Sequence, residues 1–106
     1  NVYANITING SQFFTSATTS FPSSNYRFKI TENSTEANSF NATVSNTTYI
    51  NMPKDAAGAI HVRDFNWRTA NDEFLADINI TVPTDEPIGA KSSTVTFTAN
   101  TWNNKI

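Results

Sequence analysis

Apolar and polar residues alternate along most of the chain, a pattern typical of β-strands that bury one face. In residues 2–8 the apolar members are Val2, Ala4, Ile6 and Ile8. The Asn9-Gly10 pair that follows predicts a two-residue hairpin turn, because both residues tolerate positive φ angles. Such a turn would place Phe13 opposite Ile6 on the buried face.

The same alternation predicts further strands. They lie at residues 26–30, 40–44, 48–52, 60–62, 78–82 and 95–99. We expect the apolar positions of the clearest strands to line an interface between two sheets. These positions are Phe28, Val62, Ile78, Ile80, Val95 and Phe97. Truncation of Phe97 or Ile80 to Ala is therefore expected to cost about 2–5 kcal/mol of stability, and changes at the outward Asn79 or Thr96 about 0.5 kcal/mol.

The segment after residue 60 changes the parity of its apolar positions. Val62 is predicted to point inward and His61 outward, whereas Phe65 and Trp67 lie on the opposite parity from Val62. Either a β-bulge near Asp64 switches the faces, or the strand is covered on both sides.

These segments predict one all-β domain over residues 1–106. Seven to eight strands at a spacing of about 8–14 residues, with no helical period, indicate an antiparallel β-sandwich. A chain of 106 residues with 38% hydrophobic content is long enough to fill one core, and its length favours a single domain.

The last third of the chain carries a family resemblance. Three segments carry it: Ile78-Asn79-Ile80-Thr81-Val82-Pro83, then Pro87-Ile88-Gly89, then Ser93-Thr94-Val95-Thr96-Phe97-Thr98-Ala99. This succession resembles the final two strands of immunoglobulin-like modules of archaeal and bacterial cell-surface proteins. The resemblance implies an immunoglobulin-like sandwich and a place in a surface layer, an adhesin or an extracellular filament.

The composition excludes several kinds of binding partner and several kinds of cysteine chemistry. The absence of Cys excludes disulfides, zinc fingers and thiol nucleophiles. A net charge of -2 without a basic run argues against nucleic acid and against anionic membrane surfaces. The chain begins at Asn1 and has no apolar run of about 18 residues, so it is interpreted as a processed product or an excised module that does not itself insert into a membrane.

Six Asn-x-Ser/Thr sequons occur, none with proline at the middle position. Three are predicted on outward strand positions and three in turns, so all six are expected to be accessible as glycosylation sites. They are Asn5, Asn9, Asn33, Asn41, Asn46 and Asn79. With no thiol to protect, these sequons favour an extracellular location at the cell surface.

No residue is predicted to be catalytic, to bind a cofactor or to ligate a metal specifically. His61 is the single histidine, has no accompanying nucleophile motif and cannot build a histidine-based metal site. A weak calcium site, where carboxylates of two turns meet Asp64 or Asp77, is the lesser interpretation, and solvated turn charges are the favoured one. The two turns are Asp72-Glu73 and Asp85-Glu86.

Four aromatic residues are candidates for stacking on sugar rings. They are Tyr3, Tyr49, Trp67 and Trp102. A sugar-binding platform needs two or three aromatics on one exposed face, and only Tyr3 lies on a clearly polar parity. Core packing is therefore the favoured role of the group.

The function predicted from these features is that of a non-enzymatic extracellular structural module. Asn, Ser and Thr fill 41 of the 106 positions, and few groups could perform catalysis. We expect a surface-layer or adhesin domain, or a self-assembling, pilus-like filament subunit that associates with its own kind or with neighbouring domains. Residues 2–8 are a candidate strand for pairing with the sheet of a neighbouring subunit, by strand exchange. The alternative is a carbohydrate-binding module.

Overall fold

The computed structural model describes residues 3–11, 23–54, 59–84 and 89–102. These residues form six strands. In chain order they are β1 (Tyr3–Gly10), β2 (Tyr26–Glu32), β3 (Ile50–Asn51), β4 (Val62–Phe65), β5 (Phe74–Ile80) and β6 (Val95–Trp102). Helical structure in the described residues is limited to 3₁₀ turns at Ser23–Asn25, Ser34–Glu36 and Ala42–Val44. The predicted all-β class is confirmed, but the described residues contain six strands rather than seven to eight.

The strands form two antiparallel sheets of three strands each. One sheet has the order β4-β1-β6 and the other the order β3-β2-β5. The long pairings are regular: β1 matches β6 over eight residue pairs, and β2 matches β5 over seven. The N-terminal strand β1 is therefore the centre of its sheet, with both of its edges paired, so the exposed edge expected of it is not present. Exchange of this strand between subunits stays a prediction.

The core lies between the two central strands, where alternating side chains from both sheets meet. Ile8 and Phe28 are completely buried, and the sheets are also joined by an edge-to-face contact of Phe28 with His61 at 5.2 Å between ring centroids. The buried apolar set is Ile6, Ile8, Tyr26, Phe28, Ile30, Phe40, Met52 and Val62. The prediction of a half-buried strand at residues 26–30 is confirmed.

The Asn9-Gly10 pair belongs to β1 and does not form the predicted hairpin turn. Gly10 pairs with Val95 across the sheet. The glycine is needed for close approach: a Cβ atom there would lie 2.8 Å from Cγ of Met52 and 2.9 Å from the hydroxyl of Tyr26. The predicted partner of the hairpin, Phe13, lies outside the described residues.

Residues 40–44 are not a strand, because local side-chain hydrogen bonds favour a turn. The Asn41 side chain accepts a hydrogen bond from the Thr43 amide, and the Ser45 hydroxyl donates to the Asn41 carbonyl at 2.7 Å. Asn and Ser compete in this way with a strand ladder. The alternation of Phe40, Ala42 and Val44 is therefore not followed by the backbone, and Val44 is 41% exposed.

A β-bulge near Asp64 is present, and it resolves the change of parity in β4. The β1–β4 register shifts by one residue between the pairs Ile6–Val62 and Ala4–Phe65, and Asp64 has a φ of 54°. An αR or αL residue at a bulge re-aims the side chains that follow it. Val62 and Phe65 consequently both reach the core, from positions three residues apart.

Candidate functional site: an open side between two edge strands

Strands β5 and β6 lie at the edges of their sheets and face each other across the core. The ring of Phe74 in β5 lies 6.3 Å from that of Phe97 in β6. Residues directly opposite in a ladder project to the same face, so the register identifies the inward positions of both strands. Phe97 is opposite the buried Ile8, and Ile78 is opposite the buried Phe28.

The side chains at these inward positions are nevertheless exposed to solvent over much of their surface. Phe97 is 49% exposed, Ile78 41% and Ile80 45%, and Val95 is half-buried. The prediction that Ile78, Ile80 and Phe97 are enclosed between the sheets is therefore wrong, although their face was assigned correctly. We call this surface, formed by Ile78, Ile80, Val95, Phe97 and Ala99, the open side.

The two edge strands also present backbone hydrogen-bonding groups along the open side. The amide of Ser11 donates to the carbonyl of Thr94, which continues the β1–β6 ladder. Along an antiparallel strand, residues whose backbone groups point toward the neighbouring strand alternate with residues whose backbone groups point away from it. Thr94 points toward β1, so the amide and carbonyl groups of Val95, Phe97, Ala99 and Thr101 point away from β1. Within the described part of the chain, no strand pairs with this edge of β6.

The same reasoning applies to β5. The amide of Thr81 donates to the carbonyl of Asn25, so odd-numbered residues of β5 pair with β2. The backbone groups of Phe74, Ala76, Ile78 and Ile80 therefore point away from the sheet.

β6 lacks the features that normally prevent strand pairing, and β5 has only one of them. Edge strands are commonly protected by Lys, Pro, bulges or inward-pointing charges. β6 contains no charged residue, no Pro and no Gly over eight residues, and its register with β1 is unbroken. β5 has one charged residue, Asp77, whose carboxylate accepts a hydrogen bond from the Thr31 hydroxyl.

A second candidate site is a cavity of about 440 Å³ in the β4-β1-β6 sheet, at the end where β1 begins and where β4 and β6 end. Its lining is almost entirely apolar and includes three aromatic residues, of which Trp67 is 58% exposed. The lining residues are Tyr3, Ala4, Phe65, Asn66, Trp67 and Thr101. Two of the four aromatics considered for sugar stacking thus lie together, whereas Tyr49 lies elsewhere, beneath the Lys29 ammonium group. The Trp102 side chain is not among those described.

The sequons differ in accessibility. Asn5 is 4% exposed, and its side chain accepts a hydrogen bond from the Asp64 amide, so the expected exposure is wrong at this position. Asn79 is exposed on the outer face of β5, and Asn9 and Asn46 are partly exposed. Asn33 and Asn41 are also partly exposed, each in a turn in which its side-chain oxygen accepts from the amide two residues later. Glycosylation remains a prediction at the five accessible sequons.

His61 is buried, contrary to the outward position predicted from alternation. Its Nδ1 atom accepts a hydrogen bond from the Ile8 amide at 2.9 Å, at a point where β4 has not yet begun. The imidazole thus replaces a backbone acceptor on the β4 side of β1. Burial lowers the pKa of His61 below its usual 6.5, so the neutral form required of an acceptor is favoured.

Among the residues that the structure describes, the carboxylates do not gather as the calcium hypothesis required. Asp72 and Glu73 lie beside Glu36, with ligand atoms within 4.8 Å of one another, whereas Asp64 is buried at the bulge and Asp77 lies on β5. Desolvation, with the hydrogen bond and charge of Glu36, raises the pKa of Asp72. Exposed acidic groups often cluster in this way without binding an ion. The Asp85-Glu86 turn lies outside the described residues.

Comparisons with protein-family models, with curated proteins and with solved structures find no match to this chain. A helix long and apolar enough to cross a bilayer is not found in the described ranges, whose helical turns have three residues each.

Proposed function

We propose that this chain is a non-enzymatic, extracellular structural module that associates with its own kind through the open side. It would serve as a domain of a surface layer or adhesin, or as a filament subunit, with an immunoglobulin-like arrangement of its sheets. One observation carries the proposal: two facing edge strands combine unguarded backbone groups with exposed, inward-directed apolar side chains.

The physical reason is that such a surface is costly to leave in water. Exposed apolar side chains gain stability when a partner covers them, and unpaired edge groups gain hydrogen bonds when a strand is added. Soluble monomers usually block such edges with charge. The uncharged, hydroxyl-rich strand β6 therefore favours association over an isolated existence.

Placement outside the cell is supported by the absence of Cys and by the accessible sequons. Intact mass spectrometry of native material tests this placement directly. Glycan mass at Asn79 or at the turn sequons Asn33 and Asn41 supports a surface location, and we expect none at the buried Asn5. Native protein recovered from the cytosol without modification would contradict it.

Self-association is tested by light scattering and electron microscopy of the purified chain over a wide concentration range. We expect concentration-dependent formation of dimers or larger assemblies. A chain that remains monomeric at the highest accessible concentration would contradict the proposal.

The second candidate function, carbohydrate binding, is favoured by one specific observation. Tyr3, Phe65 and Trp67 line one cavity, whose size lies within the range of small-molecule sites. Stacking on an aromatic ring is the usual way in which such sites hold a sugar. Glycan-array binding that is lost in Trp67→Ala but kept in Tyr49→Ala would favour this function.

A further inference from the structure

The composition and geometry of β6 indicate which surface covers the open side. We propose that β6 pairs antiparallel with β6 of a second copy of this chain, across a twofold axis, so that the two open sides cover each other. This inference rests on the proposed self-association, and it names the strand through which the association occurs.

The backbone of β6 is complementary to itself. Its outward amide and carbonyl groups belong to the odd-numbered residues from Val95 to Thr101, as the ladder with β1 dictates. In an antiparallel pair, residues that exchange hydrogen bonds lie directly opposite each other. Pairing odd with odd residues, for example Phe97 with Ala99 of the second copy, satisfies these groups in both copies.

The side chains of β6 fit the same register. Odd-numbered residues carry the apolar inward face, and even-numbered residues carry the polar outer face. Odd-with-odd pairing therefore keeps both apolar faces on one side of a continuous six-stranded sheet. The hydrogen bonds and the side chains therefore require the same register. A shift of one residue would place the apolar face of one copy beside the polar face of the other.

Electrostatics favours β6 over β5 as the strand that pairs with its own copy. Like charges brought opposite each other destabilise a strand pair, and β6 has no charge to oppose. Pairing of β5 with itself would bring two Asp77 carboxylates toward each other across the new ladder. The uncharged edge is the one that a second copy can approach without this repulsion.

The pairing would also cover the apolar residues of the open side. Phe97, Ile78 and Ile80 each leave more than 40% of their surface exposed in a single copy. A twofold axis beside β6 brings the same exposed set of the second copy next to them. Because a twofold contact closes on itself, the product is a dimer, and any larger assembly must extend through another surface.

The test compares two Ala→Pro variants on the two edges. Proline removes the amide donor, and edge strands tolerate it where that amide points to solvent. The Ala99 amide points outward on β6, and the Ala76 amide points outward on β5, so neither substitution removes a hydrogen bond of the two sheets formed by the described residues. Sedimentation-velocity measurements over a concentration series then report the dimer affinity of the wild type, Ala99→Pro and Ala76→Pro.

We expect Ala99→Pro to weaken dimerisation by about 30-fold, since each copy loses one inter-copy hydrogen bond of ordinary strength. Ala76→Pro should dimerise like the wild type. The reverse result would place the contact on β5, and two unaffected variants would place it on another surface. Either outcome overturns this inference while self-association stands, whereas a monomeric wild type overturns the proposed function as well.

A charge variant keeps the test valid if Ala99→Pro fails to fold by circular dichroism. Thr98 is exposed on the outer face of β6, and two copies paired as proposed bring their Thr98 residues close together. Thr98→Lys should therefore weaken the dimer, whereas Thr43→Lys, at an exposed 3₁₀ turn away from β6, should not. Equal dimerisation of these two variants would contradict the proposed pairing.

Discussion

β1 and β6 are neighbours in one sheet and carry the same alternation, yet their inward faces meet different surroundings. Ile8 on β1 is completely buried, whereas Phe97, directly opposite it on β6, is 49% exposed. The second sheet repeats the contrast, with Phe28 buried and its neighbour Ile78 41% exposed. Alternation therefore identifies the face to which a side chain projects, and the position of the strand within its sheet decides whether that face is covered.

The largest expected effect of this contrast is on stability. Phe28→Ala should lower the free energy of unfolding by about 3–5 kcal/mol, because it removes a fully buried ring and leaves a cavity. Phe97→Ala should lower it by only about 1 kcal/mol, less than alternation alone predicts, since water already reaches half of that ring. Urea titrations at a monomeric concentration would measure both, and equal losses would contradict the contrast.

Added volume should reveal the same difference between the central and the edge strand. Gly10→Ala should cost about 1–3 kcal/mol, because its Cβ would collide with Met52 and Tyr26. Ala99→Val on β6 adds more atoms but projects onto the open side, so we expect a change within about 0.5 kcal/mol. Thermal unfolding of the two variants provides the comparison. A tolerated methyl group at Gly10 would mean that the packing there is loose.

The two edges of β1 should differ in the pH dependence of their hydrogen bonds, because His61 accepts one on the edge that faces β4 and none involves a histidine on the edge that faces β6. The pKa of His61 is lowered in the folded state, so the unfolded chain binds the proton more tightly. Its contribution to stability is therefore complete above about pH 6.5 and declines as the pH falls through the folded-state pKa.

This pH dependence is measured by urea titrations of the wild type and His61→Phe between pH 7.5 and pH 5. The variant should be less stable at neutral pH, by about 1–3 kcal/mol, because the Ile8 amide loses its acceptor. The difference between the two proteins should shrink as the medium is acidified. A difference that is independent of pH would show that His61 does not titrate in this range.

The smallest effect is expected on the outer face of β6. Thr96→Ala should change stability by no more than about 0.5 kcal/mol, because the residue is exposed. The measurement is a urea titration beside that of Phe97→Ala. A larger effect at Thr96 than at Phe97 would mean that the two faces of β6 have been assigned the wrong way round.

Prediction from the sequence succeeded where alternation and burial coincide. Residues 26–30 form part of β2 as expected, and of the two explanations that the parity change after Val62 left open, the bulge near Asp64 is the one present. Both are local consequences of which side chains must reach the core.

Prediction from the sequence failed where the role of a residue depends on a partner far away in the chain. The Asn9-Gly10 pair is a strong turn signal, but Gly10 serves contact with Met52 and Tyr26. His61 lies at an outward position by parity, but it binds the Ile8 amide 53 residues away. No local pattern contains these contacts.

The exposure of the open side could not be predicted from the local sequence pattern either. Ile78, Ile80 and Phe97 have the pattern of enclosed core residues. Only the strand order, with the contact between Phe74 and Phe97, shows that their strands are both edges on the same side. The absence of charge does not separate the two kinds of strand, because the central strand β1 and the edge strand β6 both lack charged residues.

The central claim, that β6 is an open edge, is tested most directly by amide hydrogen exchange resolved by residue in the monomeric chain. We predict alternating protection along β6: slow exchange at Thr96, Thr98 and Asn100, whose amides pair with β1, and fast exchange at Phe97 and Ala99. Uniform protection of both sets in the monomer would mean that another part of the same chain already pairs with this edge, and would contradict the account.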